Sequence, residues 1–229
     1  MRKTTIFVFI VLLIALATPV FALGPVDVEA GASYWLSDTK VAAGETTTVS
    51  SDDISLWAQI WVKKWGAKAA VYKTDLSDDI VEGPQQIDYT SLDFRYKVVR
   101  FSENNFLALG MGYQSIDVDT NEGSIDSSGW RLSAETHVGL ARIVNFYGEG
   151  AYYFGMDDLK GGGKTSGENL NGWELEVGVS IKPFPFFNIR AGYRQSNVDF
   201  DMTPEEAKAA GPGSSIKPDG FIVGISINF

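Results

Sequence analysis

The only histidine of the chain, His137, lies two residues after Glu135, and Ser133 and Arg131 precede them at the same alternate positions. A histidine beside a carboxylate and a serine could act as a general base in hydrolysis. No other serine stands at an obvious spacing for a nucleophile, and His137 lies towards the short-turn end of its predicted segment. The pattern favours a histidine held in a salt bridge over a catalyst, and we predict that the protein is not an enzyme.

Charges of both signs recur at alternate positions along the chain, which predicts that they face one enclosed interior. Enclosed charges need partners, so an ion-pair network that plugs this interior is one interpretation. A polar path for small ions or solutes is the other, and at about ten strands we favour the plug. The predicted charge network consists of Asp93, Arg95, Arg131, Glu135, His137, Glu149, Glu174, Glu176, Arg190 and Arg194, and its margins include Asp27, Glu29, Lys97 and Lys182.

The overall charge argues against some partners and ligands. A formal net charge of -10 lacks the clustered positive charge that nucleic-acid binding requires. Acidic pairs such as Asp52-Asp53 and Asp157-Asp158 could supply oxygen ligands to Ca²⁺ or Mg²⁺, but none matches a spaced calcium-loop motif. We therefore predict no nucleic-acid partner, no metal and no cofactor.

The elements that would position these charges are strands, because apolar residues alternate with polar or small ones. Each segment has about the ten residues that a tilted strand needs to cross a bilayer. Long polar loops, such as Thr39–Asp53 and Val118–Ser128, alternate with short turns. The ten predicted strands are Val26–Leu36, Ile54–Lys63, Gly66–Asp75, Ile87–Arg100, Phe106–Asp117, Gly129–Ala141, Val144–Met156, Gly172–Lys182, Phe187–Asp201 and Gly220–Phe229.

The positions that alternate with the charged ones are uncharged and mostly apolar, as in Trp130, Leu132, Ala134 and Thr136. A Lys or Arg facing lipid at the bilayer midplane would cost about 2–4 kcal/mol, so an uncharged face is what a membrane barrel requires. Averaging a lipid-facing and a polar face also explains a mean hydropathy of only -0.03. The pattern predicts an all-β, antiparallel, up-and-down transmembrane barrel of ten strands.

One segment allows an alternative. Trp57, Trp61 and Trp65 recur every four residues, a spacing that also fits one face of a helix over residues 54–65. Such a helix would leave eight strands. The tight Lys64-Trp65-Gly66 turn favours the ten-strand prediction.

The two chain ends complete the pattern. Met1-Arg2-Lys3 and the apolar run Ile6–Ala17 predict a signal peptide over residues 1–22, cleaved between Ala22 and Leu23. Residues 23–229 then form one barrel domain, and the chain contains no cysteine. The final segment, Gly220–Phe229, alternates to its last residue and ends on an aromatic side chain.

With these features, nearly all of residues 23–229 resembles the small bacterial outer-membrane β-barrels, the OmpA/OmpX/OmpW-like group. The resemblance implies localisation in the outer membrane, reached through the periplasm, with lipid and lipopolysaccharide as surroundings. It also implies that the last strand is read by the barrel-assembly machinery, through Val223, Ile225, Ile227 and Phe229.

The resemblance does not choose between activities, so three functions stay open. The leading expectation is a non-enzymatic barrel with a structural or surface-interaction role. The first alternative is a narrow channel or small-solute binder, and the weakest is an outer-membrane lipid hydrolase using His137.

Overall fold

A computed structural model describes residues 26–43, 45–75, 84–102, 105–120, 123–141, 143–161, 164–202 and 214–229. The predicted signal peptide and its Ala22-Leu23 cleavage site lie outside these ranges. The strands are β1 (Val26–Ala43), β2 (Glu45–Val62), β3 (Trp65–Asp75), β4 (Pro84–Ser102), β5 (Asn105–Thr120), β6 (Gly123–Gly139), β7 (Val144–Phe154), β8 (Leu159–Gly161), β9 (Lys164–Phe184), β10 (Phe187–Met202) and β11 (Ser214–Asn228).

Ten long strands close into an antiparallel up-and-down barrel, so the predicted fold is confirmed. Each pairs with its neighbour in sequence, and β11 returns to pair with β1. The short β8 lies in the β7–β9 connection, pairs with β9 and touches β6 at Asp126. The first residues of β1, the last residues of β11 and the short turns lie at one end of the barrel, which we call the terminus end. The opposite end is the loop end. Closure pairs every long strand with a neighbour on both sides, although β2 and β3 pair with each other only from Leu56 opposite Val71 to Val62 opposite Trp65.

The alternative helix over residues 54–65 is wrong. These residues belong to β2 and the start of β3, joined by a two-residue turn at Lys63-Lys64. A spacing of four is also even, so Trp57 and Trp61 share one face of a strand as readily as one face of a helix. Both are buried inside the barrel, whereas Trp65 is exposed outside it. Within the described ranges no helix is long and apolar enough to cross a bilayer.

The strands reach further than predicted towards the loop end. Most of the predicted loop Thr39–Asp53 is strand, because β1 and β2 stay paired up to Ala43 opposite Glu45. The predicted loop Val118–Ser128 likewise continues the β5–β6 pair to Thr120 opposite Gly123. Their Ser, Thr and Asp content suggested loops, but these residues occupy mainly the wet outer face while valines such as Val49 turn inward.

An apolar band encircles the outside of the barrel between two aromatic girdles. Along β11 it runs from Phe221 to Phe229, which is about 20 Å of height for a strand tilted by about 40°. Aliphatic side chains fill the band, for example Val223 and Ile225. The loop-end girdle includes Tyr34, Tyr113, Trp130, Tyr152, Tyr193 and Phe221, and the terminus-end girdle includes Trp65, Phe101, Phe146, Phe184, Phe186 and Phe229.

Tyrosines of the loop-end girdle hold their hydroxyls at the wet edge of the band. Tyr34 donates a hydrogen bond to Asp52, and Tyr193 donates one to Asp219. A ring that is apolar in its body and hydrogen-bonded at its tip suits the boundary between hydrocarbon and water. The outer surface therefore has the layering of a bilayer-embedded wall.

Candidate functional site: the barrel lumen

The centre of the lumen is an ionic lattice built on Asp93. Its carboxylate accepts hydrogen bonds from Arg95 Nη2 at 2.9 Å and from Arg131 Nε at 3.0 Å. Arg131 also donates to Gln114 Oε1 at 2.9 Å and to Glu174 Oε1 at 2.5 Å. Asp93, Arg95 and Arg131 are almost fully buried, so the bonds form away from water and the charges depend on one another.

Tyrosine hydroxyls complete the coordination of Glu174. Its Oε2 accepts hydrogen bonds from Tyr153 at 2.7 Å and from Tyr72 at 3.1 Å. Together with Arg131 this carboxylate has three donors from three different strands. Glu174 thus ties β3, β6 and β7 to β9 across the lumen.

Three glutamates lie side by side on adjacent strands. Glu135 of β6 is opposite Glu149 of β7, which is opposite Glu176 of β9. Like charges in this arrangement repel, so each needs a counter-charge from another part of the wall. Arg95 reaches Glu135 at 2.6 Å, and Lys68 of β3 crosses the lumen to pair with Glu149.

Glu176 is the hub of a second cluster. Arg190 Nη2 lies 3.1 Å from its Oε1, and Arg194 Nη2 lies 2.7 Å from its Oε2. Tyr147 donates its hydroxyl to the same carboxylate at 2.9 Å. Two guanidinium groups therefore share one acid, and their excess positive charge faces the glutamates of the neighbouring strands.

His137 lies near the terminus end with one nitrogen already engaged. Its Nε2 is 2.9 Å from Glu135 Oε1, and its ring stacks on Phe106 with centroids 4.8 Å apart. The ring of Tyr147 is 6.3 Å away. The side chain of His137 keeps 23% of its surface exposed, whereas that of Glu135 is fully buried. Because Glu135 is also bound by Arg95, the histidine extends the hydrogen-bonded lattice towards the terminus end.

Aromatic rings surround the lumen cations, a feature that charge pattern alone did not predict. A cation over an aromatic face is stabilised by the ring quadrupole, and more strongly when both are removed from water. The pairs are Lys97 with Trp61 and Phe106, Lys68 with Trp57, Arg131 with Tyr153, Arg190 with Trp57 and Tyr147, and Arg194 with Trp35 and Tyr72.

Glycines make room for the lattice in the wall. A Cβ added at Gly110 would stand 2.7 Å from Arg95 Cγ, and one at Gly178 or at Gly192 would stand 2.7 Å from the Tyr147 hydroxyl oxygen. These distances are too short for carbon, so the side chains that bind the carboxylates need bare backbone beneath them.

Above the lattice, the loop half of the lumen is filled by apolar and aromatic side chains. Trp35 meets Tyr72 edge to face at 5.8 Å, and Tyr72 stacks on Tyr89 at 4.4 Å. Residues predicted to lie in loops also contribute to this core. The loop-half core consists of Trp35, Val49, Tyr72, Ile87, Tyr89, Ile116, Val118, Ala151, Tyr153, Met156, Leu170, Val198, Ile216 and Ile222.

The terminus half contains a small cavity of about 10 Å³. On its wall, Glu29 accepts hydrogen bonds from Gln59 Nε2 at 2.9 Å and Asn188 Nδ2 at 3.4 Å, which turns both amide oxygens away from the carboxylate. Those oxygens, Ser180 Oγ and Trp57 Nε1 have no hydrogen-bond partner among the described residues. The volume and the mixture of donors and acceptors suit one water molecule.

The residues predicted for the charge network fall into three groups, all inside the barrel. Lys68 and the lumen tyrosines were missed, although the parity rule applied to β3 and β7 would have placed them inward. Asp27, predicted as interior, is exposed because it lies at the open terminus end of β1. The groups are His137, Glu135, Arg95, Asp93, Arg131 and Glu174; then Glu176, Arg190 and Arg194; and finally Glu149 with Lys68.

The described lumen contains no group of three His, Asp or Glu side chains that could hold a metal ion. Its carboxylates point at arginines, lysines and hydroxyls instead of converging on a common point. The predicted assembly residues lie elsewhere, on the outer face of β11 and just beyond it. Val223, Ile225, Ile227 and Phe229 are all exposed there.

Comparison with known proteins bears on the fold. No protein-family model and no curated protein sequence matches the chain. Among solved structures it is similar to outer membrane protease OmpT from Escherichia coli, with a TM-score of 0.58 and 11% identity over 89% of this chain and 97% of that one. The chain has the fold of a small outer-membrane β-barrel. At 11% identity the likeness extends to the fold alone.

Two other solved structures also match, with lower TM-scores. Neisserial surface protein A (NspA) has a TM-score of 0.41 and 11% identity, with 89% of this chain and 97% of that chain covered. The attachment invasion locus protein Ail of Yersinia pestis has a TM-score of 0.34 and 12% identity, with coverage of 88% and 98%.

Proposed function

We propose that this chain is a non-enzymatic integral β-barrel of the bacterial outer membrane with a structural or surface-interaction role. The observation that carries the proposal is the filled lumen. An ionic lattice occupies its middle, and a cluster of fourteen buried apolar and aromatic residues fills the half above it. A wall this well supported from inside suits a rigid scaffold that presents its outer face and loops.

The outer surface supports the membrane assignment. Exposed aliphatic side chains form a continuous band, and the two aromatic girdles lie where the interfaces would be. The fold shared with OmpT is consistent with the same environment. The last residue helps to close the barrel, since Phe229 N donates a hydrogen bond to Val28 O at 2.8 Å. The exposed aromatic side chain of Phe229 supports a role in recognition by the assembly machinery.

Single-cysteine labelling tests location and orientation, because the chain has no cysteine of its own. Lys40→Cys at the loop end should react with a membrane-impermeant maleimide on intact cells. Lys64→Cys at the terminus end should react only after the outer membrane is permeabilised. Equal labelling of both sites on intact cells, or recovery of the protein in the soluble fraction, would contradict the proposal.

The channel alternative is tested by conductance in planar bilayers. Arg95, Arg131 and Glu135 are almost fully buried in the lattice, which supports an occluded interior. We expect no reproducible unitary steps from the wild-type barrel. Unitary steps whose size shifts in Arg131→Gln or Glu135→Gln would show that ions pass the lattice, and would replace the plugged barrel with a channel.

The hydrolase alternative is tested with His137→Ala. His137 hydrogen-bonds to Glu135, and its ring lies against Phe106 and Tyr147; among the described residues no hydrogen bond joins it to a serine, although Ser180 lines the same small cavity. We expect no turnover of phospholipid or lipid A by the reconstituted protein. Turnover by the wild type that disappears in His137→Ala, with the barrel still folded, would restore an enzymatic function.

The surface role has a structural basis at the loop end. From Tyr34 in the girdle, β1 continues to Ala43, which raises the β1–β2 side of the wall roughly 20 Å above the apolar band. The extension is packed inside by the loop-half core. Its outer face carries carboxylates such as Asp38, Asp52 and Asp219, so it presents a rigid and mainly negative surface.

A further inference from the structure

The terminus end carries a patch of cations and aromatic rings at the β2–β3 turn and the end of β4. Two lysines form the turn, and a phenylalanine lies near the end of β4, where Phe101 is 87% exposed. We call this the rim patch, and it consists of Lys63, Lys64, Trp65, Tyr96 and Phe101.

Contacts within the rim patch hold its parts together. Trp65 packs on Tyr96 at 4.6 Å and stacks on Phe94 at 5.3 Å, and about half of its own surface stays exposed. Lys64 Nζ lies 6.0 Å from the Tyr96 ring centroid. The turn is fixed to β4, because Lys97 N donates to Lys64 O at 2.8 Å.

The lysines of the rim patch differ from those of the loop end in their partners. Neither Lys63 nor Lys64 forms an ion pair with a described carboxylate. At the loop end, Lys73 Nζ lies 3.3 Å from Asp88 Oδ1. The rim patch therefore keeps its positive charge available at the boundary of the apolar band.

The backbone conformation of the turn also indicates a specific role for Lys63. Lys63 has a φ of 60°, the left-handed conformation that glycine adopts freely and other residues adopt at a cost. A lysine at a position that suits glycine indicates that its side chain contributes something at this site beyond the turn itself.

We propose that the rim patch binds the phosphates of anionic glycerophospholipids, of the phosphatidylglycerol and cardiolipin class, in the leaflet at the terminus end. The inference rests on the membrane location proposed above. Ammonium groups bind phosphate oxygens, and the exposed rings of Trp65 and Phe101 suit the glycerol and acyl region beside them. The mainly acidic loop end repels the same lipids, so the two ends select different leaflets.

Fluorescence quenching in vesicles tests this directly. The protein is folded into phosphatidylcholine vesicles that contain equal mole fractions of phosphatidylglycerol, with one or the other lipid brominated. The signal of Trp65 is isolated as the difference from Trp65→Phe. We expect brominated phosphatidylglycerol to quench Trp65 more strongly than brominated phosphatidylcholine, and added salt to remove the difference.

The charge variants decide the cause. The double variant Lys63→Gln with Lys64→Gln should lose the preference, at about fivefold in relative lipid affinity for each cation removed at low salt. The matched control, Lys40→Gln with Lys73→Gln, removes the same charge from the loop end and should keep it.

The outcomes separate this inference from the proposed function. Equal quenching by both lipids, a preference kept by the double variant, or equal loss in the control would overturn the lipid site while leaving the barrel in the membrane. Failure of the wild type to insert would overturn the proposed function itself. If the double variant does not fold, Lys64→Gln and the salt titration give the same decision.

Discussion

Replacing Arg131 with methionine should destabilise the barrel by about 3–5 kcal/mol, the loss typical of a buried ion pair deprived of one partner. Arg131 makes hydrogen bonds to Asp93, Gln114 and Glu174, and it is 4% exposed. Methionine fills much of the same space without the charge. The destabilisation thus arises mainly from the acids left behind.

Asp93 and Glu174 are affected to different extents by the loss of Arg131. Asp93 keeps Arg95, whose Nη2 lies 2.9 Å away. The two tyrosine hydroxyls that remain on Glu174 carry no charge. A largely buried carboxylate with only neutral donors dominates the effect. Glu174→Gln in the Arg131→Met background should therefore recover about 2–3 kcal/mol, since it removes the stranded charge.

The measurement is a double-mutant cycle on the folded barrel in detergent micelles. Urea unfolding followed by tryptophan fluorescence gives the free energy of unfolding of the wild type, both single variants and the double variant. Lys40→Met is the surface control, because Lys40 lies 3.9 Å from Asp219 and is 55% exposed, and its loss should be below about 1 kcal/mol. A loss of that size in Arg131→Met, or additive losses in the double variant, would refute a lattice held by mutual compensation.

Three further changes test other parts of the structure. Lys63→Gly should raise the free energy of unfolding by about 1 kcal/mol, because glycine accepts the φ of 60°. Gly178→Ala should lower it by about 1–3 kcal/mol, because the new Cβ meets the Tyr147 hydroxyl at 2.7 Å, whereas Gly148→Ala on the outer face, with 3.3 Å to its nearest neighbour, should be tolerated. Phe229→Ala should reduce the amount of barrel assembled in cells while changing unfolding in micelles little, since the ring is 73% exposed.

The same unfolding assay checks the first two, and the outer-membrane content of cells checks the third. A less stable Lys63→Gly would mean that the turn needs the lysine for folding. Equal losses in Gly178→Ala and Gly148→Ala would contradict the claim that the lumen side of the wall is the crowded one. Normal assembly of Phe229→Ala would remove the recognition role proposed for the last residue.

The number of strands, and the face of the wall to which each side chain points, could be predicted because both depend on local alternation. Ser133, Glu135 and His137 share a parity, and every strand carries its side chains to alternate faces. The ten residues of the predicted charge network were placed in one interior by this rule, and their side chains lie inside the barrel. The tryptophans at positions 57 and 61 were ambiguous because their spacing fits both periods.

The upper lumen could not be predicted in the same way. Val49 and Leu170 belong to segments rich in Ser, Thr, Gly and Asp, a composition typical of loops. Neighbouring strands keep these segments extended through backbone hydrogen bonds, and the inward valine and leucine then meet apolar residues from distant strands. Such packing is a property of the closed barrel.

By itself, then, the sequence determined which side chains enter the interior and which face outward, because that choice is made within each strand. The tertiary structure decided which of these side chains contact one another. Lys68 pairs with Glu149, and Arg95 reaches Glu135 across an intervening strand, because closure brings these strands within reach of one another. Closure in three dimensions sets those distances, and an alternating pattern along one dimension contains no information about them.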